Sequence, residues 1–180
     1  MTEGFKVPTL TPVTTRFILH WGEMGTRWGI NRTVAQVHAL LFISPKPLHA
    51  EEIAETLSVA RSNVSTSIKE LQGWGIIRVV HVLGDRRDHF ESIKDVWELY
   101  RVVMDERKRR EIDPTLTMLR DCLIDAEKNG PEEKYAREKL GELLSFFETV
   151  TSWYEQMKKL PTSSLLKLTR LGEKIRKLLG

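Results

Sequence analysis

The stretch from Ser58 to Ile93 constrains the fold most, because it joins a short amphipathic helix to two strand-like segments. The helix spans about Arg61 to Gln72 and has apolar residues at helical spacing on one side. The segments 76–82 and 89–93 flank a polar turn from Gly84 to Asp88, and the first of them is rich in β-branched residues, which predicts a hairpin. A helix followed by a basic hairpin is typical of a winged helix-turn-helix.

The rest of the chain predicts a mainly α-helical protein in three parts. An N-terminal arm and helix occupy residues 1–30, and Pro12 suits the first turn of that helix. The winged helix-turn-helix, with its small β-hairpin wing, occupies residues 31–93. Long helices occupy residues 94–180, which we interpret as a dimerisation region and candidate effector region. The expected fold class is therefore mainly α, with a winged helix-turn-helix domain and a helical dimerisation region.

Two helical patterns indicate close helix packing and leave its partner open. Gly22, Gly25 and Gly29 recur at helical spacing, so another helix approaches that backbone closely, either from the same domain or from a partner subunit. The helix from Glu132 to about Lys159 has an alternating four-three apolar spacing, typical of a coiled-coil seam. The seam consists of Ala136, Leu140, Leu143, Phe147, Val150, Tyr154 and Met157. It favours a homodimer through both chain ends, and the alternative is an intramolecular bundle.

Composition and charge restrict the class of protein without assigning a function. The chain has 180 residues and a formal net charge of +3, which is compatible with nucleic-acid binding. Cys122 is the single cysteine, so neither an intramolecular disulfide nor a cysteine-based zinc site can form. The N-terminus lacks the pattern of a signal peptide, and the longest apolar run, 39–43, is too short to span a membrane. We therefore expect a cytoplasmic protein that does not associate with membranes.

The polar side of the helix in the central stretch is unusually rich in small hydroxyl side chains. These residues can enter the major groove without bulk and bond to base edges or phosphates. The predicted DNA contacts on this helix are Arg61, Ser62, Asn63, Ser65, Thr66, Ser67 and Lys69. The alternative is an ordinary solvated helix face. However, serine and threonine are mediocre helix formers, which favours a binding role.

The hairpin tip carries two arginines between two aspartates. Arg86 and Arg87 are predicted to enter a narrow minor groove or to bind a phosphate. Asp85 and Asp88 nearly neutralise them, so we expect one arginine to be held by an aspartate while the other contacts DNA. A solvated, charged hairpin is the alternative.

The sequence lacks the motifs that are typical of an enzyme active site. It has no glycine-rich phosphate loop, nucleophile elbow or zinc-ligand spacing. The five histidines are scattered, and His81 and His89 are the one pair that could meet across the hairpin. Two histidines without a third ligand make a poor metal site. We therefore expect no enzymatic activity, no cofactor and no metal.

The central stretch resembles the GbsR/MarR group of winged-helix transcriptional regulators. The most specific part is R-S-N-V-S-T-S-I-K-E-L-Q-G-W-G-I-I-R-V-V-H-V-L-G-D-R-R-D-H-F, residues 61–90. The resemblance implies a dimeric DNA-binding repressor or regulator, with the polar helix at the major groove and Asp85 orienting a wing arginine. One departure is Ala60, where related sequences often have a serine that caps the helix; Ser58, Ser62 or water is expected to replace it.

The resemblance also implies a candidate effector. Some members of the group govern choline or glycine-betaine genes, so a quaternary ammonium osmolyte bound by aromatic faces is one candidate. The aromatic residues in the helical region are Trp97, Tyr100, Phe146, Phe147, Trp153 and Tyr154. Aromatic residues at helical spacing more often form a core than a cage. The remaining alternative is a winged helix that contacts protein or RNA without recognising an operator.

Overall fold

The computed structural model describes residues 10–129, 133–164, 167 and 171. The chain divides into two compact units, Met1–Val103 and Met104–Gly180. The boundary lies later than the predicted one after Ile93, and the N-terminal helix belongs to the same unit as the winged helix. The N-terminal helix belongs to the first unit because it packs directly on the helix that follows it in the chain.

The first unit is a helical domain with a small sheet. Its helices and strands, in chain order, are α1 (Pro12–Arg27), α2 (Arg32–Ile43), β1 (Leu48–His49), α3 (Ala50–Leu57), α4 (Arg61–Gly73), β2 (Ile77–His81) and β3 (Asp88–Ser92), and α5 (Val96–Arg107) begins within it. The predicted hairpin is the β2–β3 pair, with Val79 opposite Phe90. Strand β1 was not predicted. It pairs with β3, so the sheet is antiparallel with order β1-β3-β2.

Local signals set most helix ends. Thr11 caps α1, with Pro12 in its first turn, and Asn31 caps α2 by accepting from the Thr33 N–H at 2.8 Å. Ser58, with φ of +53°, ends α3 and turns the chain into α4. Gly75, shortly after the end of α4, has φ of +74°, a left-handed conformation that glycine favours.

The end of α2 depends on a residue far along the chain. The Lys94 ammonium donates to the carbonyl oxygens of Leu41, Phe42 and Ser44 at 2.7, 2.8 and 2.6 Å. These are carbonyls that the helix itself leaves unpaired, and a cation is favourable at a helix C-terminus. Lys94 thereby joins the segment after the wing to α2.

The core of the first unit lies between α2, α3, α4 and the sheet. Its largest fully buried side chains are Val37, Leu40, Leu41, Ile53, Val64 and Leu71. Helix α1 closes one side, and Gly22 and Gly25 are buried against α2. Gly22 and Gly25 therefore pack within their own chain, one of the two alternatives that the sequence left open. Gly29 does not belong to this face, because it lies beyond the end of α1, is exposed and has φ of +76°.

The second unit contains the last residues of α5, a π-helical segment Lys108–Ile112, α6 (Asp113–Lys128) and α7 (Lys134–Lys158). The buried residues of α6 are Leu116, Leu119 and Ala126. Most of the predicted N-terminal arm and most of residues 165–180, in the predicted helical region, lie outside the described residues. No helix in the described part of the chain has the length and apolar character needed to cross a bilayer.

Candidate nucleic-acid interface

Helix α4 separates a buried apolar face from an exposed polar one. Val64, Ile68 and Leu71 are buried in the core. Most of the predicted contact residues are exposed on the other side: Arg61, Ser62, Asn63, Thr66 and Lys69. Ser65 is half-buried. The helix thus presents a polar strip free of bulky apolar side chains, as the major groove requires.

Ser67 is a correction to the predicted contact set. Its relative exposure is 2%, and its Oγ donates to the Asn63 carbonyl at 2.8 Å. The residue lies at the edge of the buried face, where a hydroxyl bonded to the preceding turn replaces an apolar side chain. We therefore remove Ser67 from the candidate DNA contacts.

The N-terminus of α4 is stabilised by side chains other than the predicted cap. Ala60 provides no side-chain cap, and no side-chain oxygen replaces it among the described residues. Instead, the Arg61 guanidinium donates to Glu51 Oε1 at 2.8 Å and to the hydroxyl of Ser65. The ion pair lowers the pKa of Glu51 to about 2, chiefly through the hydrogen bond from Arg61. Arg61 is therefore oriented before any ligand binds.

The two arginines of the wing have different surroundings. Arg87 donates from Nε to Asp85 Oδ1 at 2.9 Å, and its backbone N–H bonds the same oxygen at 3.0 Å. These bonds hold the pKa of Asp85 well below its usual range. Arg86 is exposed and forms no ion pair with the described residues. This matches the expectation that an aspartate holds one arginine and leaves the other accessible.

Asp88, the second predicted supporting residue, forms no side-chain hydrogen bond or ion pair with either arginine in the described chain. It is exposed at the start of β3, opposite His81 in the register, and forms no ion pair within the described chain. It directly follows Arg87 in the chain, but the Arg87 guanidinium is directed to Asp85. Support of the wing therefore rests on Asp85, and the prediction for Asp88 is corrected.

A buried histidine joins the wing to α3. His49 Nε2 lies 2.9 Å from Arg87 NH1, and His49 Nδ1 lies 3.0 Å from Glu51 Oε2. Its side chain is only 4% exposed. This contact could not be predicted from the sequence, because His49 and Arg87 are brought together by the unpredicted pairing of β1 with β3.

The histidines of the wing do not form a metal site. His81 lies opposite Asp88, whereas the His89 ring contacts the His49 ring at a centroid distance of 5.5 Å. His81 and His89 therefore do not meet as the sequence allowed. No cluster of three or more metal-ligating side chains occurs in the described residues.

Comparisons with known proteins relate this geometry to a family. Residues 28–88 match the model of the MarR family. The chain is 22% identical over 139 residues to the HTH-type transcriptional repressor GbsR of Bacillus subtilis (strain 168), which covers 76% of this chain and 77% of that protein. A crystal structure of a transcriptional regulator has a TM-score of 0.49 and 19% identity, covering 81% of this chain and 99% of the other.

Proposed function

We propose, from the premise that residues 28–88 form a MarR-family winged helix, that the chain is a sequence-specific DNA-binding transcriptional repressor. It acts as a homodimer on a palindromic operator. The observation that carries the proposal is the exposed polar strip of α4, whose opposite face is fixed in the core. The comparisons likewise indicate a transcription regulator and not an enzyme.

The polar strip of α4 and the wing would contact different parts of the DNA. Asn63 has a side-chain amide that can bond adenine in two places, and Ser62 and Thr66 have hydroxyls that suit base edges or phosphates. Lys69 is exposed and supplies a phosphate contact. Because the net charge of the chain is small, specificity rests on the placement of these groups more than on bulk attraction.

On the wing, we assign DNA contact to Arg86 and support to Arg87. The guanidinium of Arg87 is bound by Asp85 and His49, and its side chain is 36% exposed. Arg86 is the exposed cation at the same tip and is free to enter a minor groove, where the potential is most negative.

The homodimer would use the exposed side of α7. Four large apolar residues recur there every three or four positions: Leu143, Phe146, Val150 and Trp153. An exposed apolar strip of this kind marks an interaction surface, and a second copy of the chain meets it in a two-fold dimer. Two winged helices would then reach half-sites about 34 Å apart on one face of the duplex.

The candidate effector is a quaternary ammonium osmolyte. Four of the six aromatic candidates form two contacting pairs, Trp97 with Tyr100 in the first unit and Phe146 with Phe147 in the second. A pair is smaller than the cage that usually surrounds such a cation. Calorimetric titration of the full chain with choline and with glycine betaine tests this part separately.

The decisive experiment is selection of bound sequences from random duplex DNA, followed by a salt titration. Enrichment of a palindrome, with an affinity that falls steeply with salt, is the expected result. No enrichment would contradict the proposal and favour a winged helix that binds protein or RNA.

Variants at the wing then test the assignment of the two arginines. Arg86→Ala is expected to weaken binding to the enriched duplex and to reduce the salt slope by about one, because one phosphate or groove contact is lost. The dimer and the thermal stability stay unchanged. The matched control is Lys46→Ala, which removes an exposed cation between two prolines. Equal affinity of Arg86→Ala and the parent chain would remove Arg86 from the interface.

A further inference from the structure

His49 lies between the two elements that the proposed function assigns to DNA. On the wing side, its Nε2 lies 2.9 Å from Arg87 NH1, and Arg87 is in turn bound to Asp85. On the helix side, its Nδ1 lies 3.0 Å from Glu51 Oε2, and Glu51 accepts from Arg61 at the start of α4. A continuous chain of hydrogen bonds therefore runs from the wing tip to the first residue of α4.

The two contacts of this link, to Arg87 and to Glu51, require one protonation state of His49. Arg87 can only donate, so His49 Nε2 must accept and carries no hydrogen. A neutral ring then has its hydrogen on Nδ1, which donates to the Glu51 carboxylate. The Glu52 N–H, 3.3 Å from the same Nδ1, cannot use it as an acceptor at the same time. The link thus requires the neutral imidazole with the proton on Nδ1.

If His49 Nε2 carried a hydrogen, another acceptor for it would lie close by. Glu52 Oε2 lies 3.5 Å from His49 Nε2. A second hydrogen on the ring would face the Arg87 guanidinium, which repels it, and would find this carboxylate as its nearest partner. The charged ring would therefore pair with Glu52 and release Arg87 from the chain of bonds.

We propose that His49 is a positioning residue that couples the wing to the recognition helix, and that DNA binding requires its neutral form. The proposal rests on the proposed function. It predicts that affinity for duplex DNA falls as the pH is lowered, because a second hydrogen on the His49 ring would break the contact with Arg87.

The charged and titratable groups that face His49 come from α3, the wing and β3. From α3 they are Glu51 and Glu52, from the wing Arg87, and from β3 the His89 ring. The pKa of Glu51 is lowered to about 2, so it stays charged. His89 Nδ1 donates to the Arg87 carbonyl at 3.0 Å, and His89 Nε2 lies 3.6 Å from Asp85 Oδ2, so the His89 ring also faces the carboxylate that binds Arg87.

The first test observes the ring without DNA. Long-range nitrogen–proton correlation spectra of the full chain report the protonation of each ring nitrogen. At about pH 7.5 we expect His49 with a hydrogen on Nδ1 and none on Nε2. A hydrogen on Nε2 at that pH would overturn the proposal. This readout is independent of whether the chain binds DNA.

The second test measures affinity for a labelled duplex of about 30 base pairs at pH values from about 8 to about 5.5. The parent chain is expected to lose affinity by about fivefold or more over this range, and His49→Gln to be weaker at high pH and nearly independent of pH. The matched control is His81→Gln, an exposed wing position outside the link, which keeps the parent profile. A parent-like profile in His49→Gln would overturn the proposal.

A further variant keeps the test decisive if His49→Gln does not fold. Glu51 is half-exposed, so Glu51→Gln opens no cavity. Removal of a negative charge alone would tighten binding to DNA, whereas loss of positioning lowers the preference for the enriched duplex over random duplex by about threefold or more. An unchanged preference would overturn the proposal. Failure of the parent chain to bind any duplex would instead contradict the proposed function.

Discussion

His38 is a buried histidine that the interface does not use. It is 6% exposed, lies between the rings of Trp21 and Phe42, and its Nε2 has no hydrogen-bond partner among the described residues. Burial, and secondly the nearby charge of Lys94, lower the pKa of His38 to about 4. The folded chain therefore holds this ring neutral at pH values where the unfolded chain binds a proton.

This difference predicts that acid destabilises the first unit. Because the folded pKa of His38 lies below the unfolded one, its contribution to stability is fully present above about pH 6.5 and is lost as the pH falls towards about 4. The slope of the free energy of unfolding is at most about 1.4 kcal/mol per pH unit for one proton. Urea denaturation of His38→Phe, followed by tryptophan fluorescence, is expected to show a smaller slope than the parent chain.

The control for this prediction is a histidine at the surface. His81→Gln, on the exposed side of β2, is expected to keep the pH dependence of the parent chain. Identical slopes for His38→Phe and the parent chain would mean that His38 does not take up the proton.

Individual residues of the site were predictable where the sequence pattern is local. Ser62, Asn63 and Thr66 are exposed because the apolar period of α4 places them opposite its buried face. Ser67 was misassigned because its hydroxyl can donate a hydrogen bond to a backbone carbonyl of the preceding turn, which allows the residue to lie at the edge of a core. His49 was missed because its partners are far away in sequence and depend on tertiary structure.

At the scale of helices and strands, the packing of α1 on α2 depends on one glycine. A Cβ at Gly25 would lie 2.5 Å from the Cβ of Ala35, and neither atom belongs to a flexible side chain that could move away. A Cβ at Gly22 would lie 2.7 Å from Gln36 Cγ, which can adjust. The two helices are therefore closest at Gly25.

We expect Gly25→Ala to lower the free energy of unfolding by about 1–3 kcal/mol, because the helices must separate. Gly22→Ala should cost less, since a glutamine side chain gives way. Gly73→Ala is the matched control. Its Cβ meets nothing within 4 Å, so the variant should be neutral or gain up to about 1 kcal/mol from helix propensity. If urea denaturation gave Gly25→Ala and Gly73→Ala the same free energy of unfolding, close packing at Gly25 would be refuted.

The helices were easier to predict than the sheet. Thr11, Asn31 and Gly75 are caps or stops that act within a few residues, so the ends of α1, α2 and α4 follow from the sequence. Strand β1 has only two residues, and its pairing with β3 spans about forty positions. Two residues are too few to show the alternating apolar pattern of a strand. This strand and the contacts that it creates were therefore not predicted.

At the scale of the whole molecule, the predicted seam of α7 divides into two parts. Leu140, Phe147 and Tyr154 are half-buried within the second unit, and the Tyr154 hydroxyl donates to Asp105 at 2.9 Å. Leu143 and Val150 remain exposed at 43% and 46%. Residues with one and the same apolar spacing are thus partly buried within the chain and partly exposed to solvent. The sequence pattern cannot separate the two, since both have the same spacing.

The open part of the seam, with Phe146 and Trp153, predicts the oligomeric state. Trp153 is 62% exposed, and burying such a ring against a second copy removes a large apolar area from water. Multi-angle light scattering of the parent chain at micromolar concentration is expected to give a dimer. Trp153→Glu is expected to give a folded monomer, because a two-fold interface would bring the new charges close together.

The monomeric variant also separates assembly from DNA reading. Trp153→Glu should lose most of the preference for a palindrome over a single half-site, because one winged helix reads about one half-site. Ser145→Glu adds the same charge at an exposed polar position of α7 outside the apolar strip, and it should leave both mass and preference unchanged. A parent chain that is monomeric under these conditions would contradict assembly through α7. A dimer that survives Trp153→Glu would assign the interface to another surface.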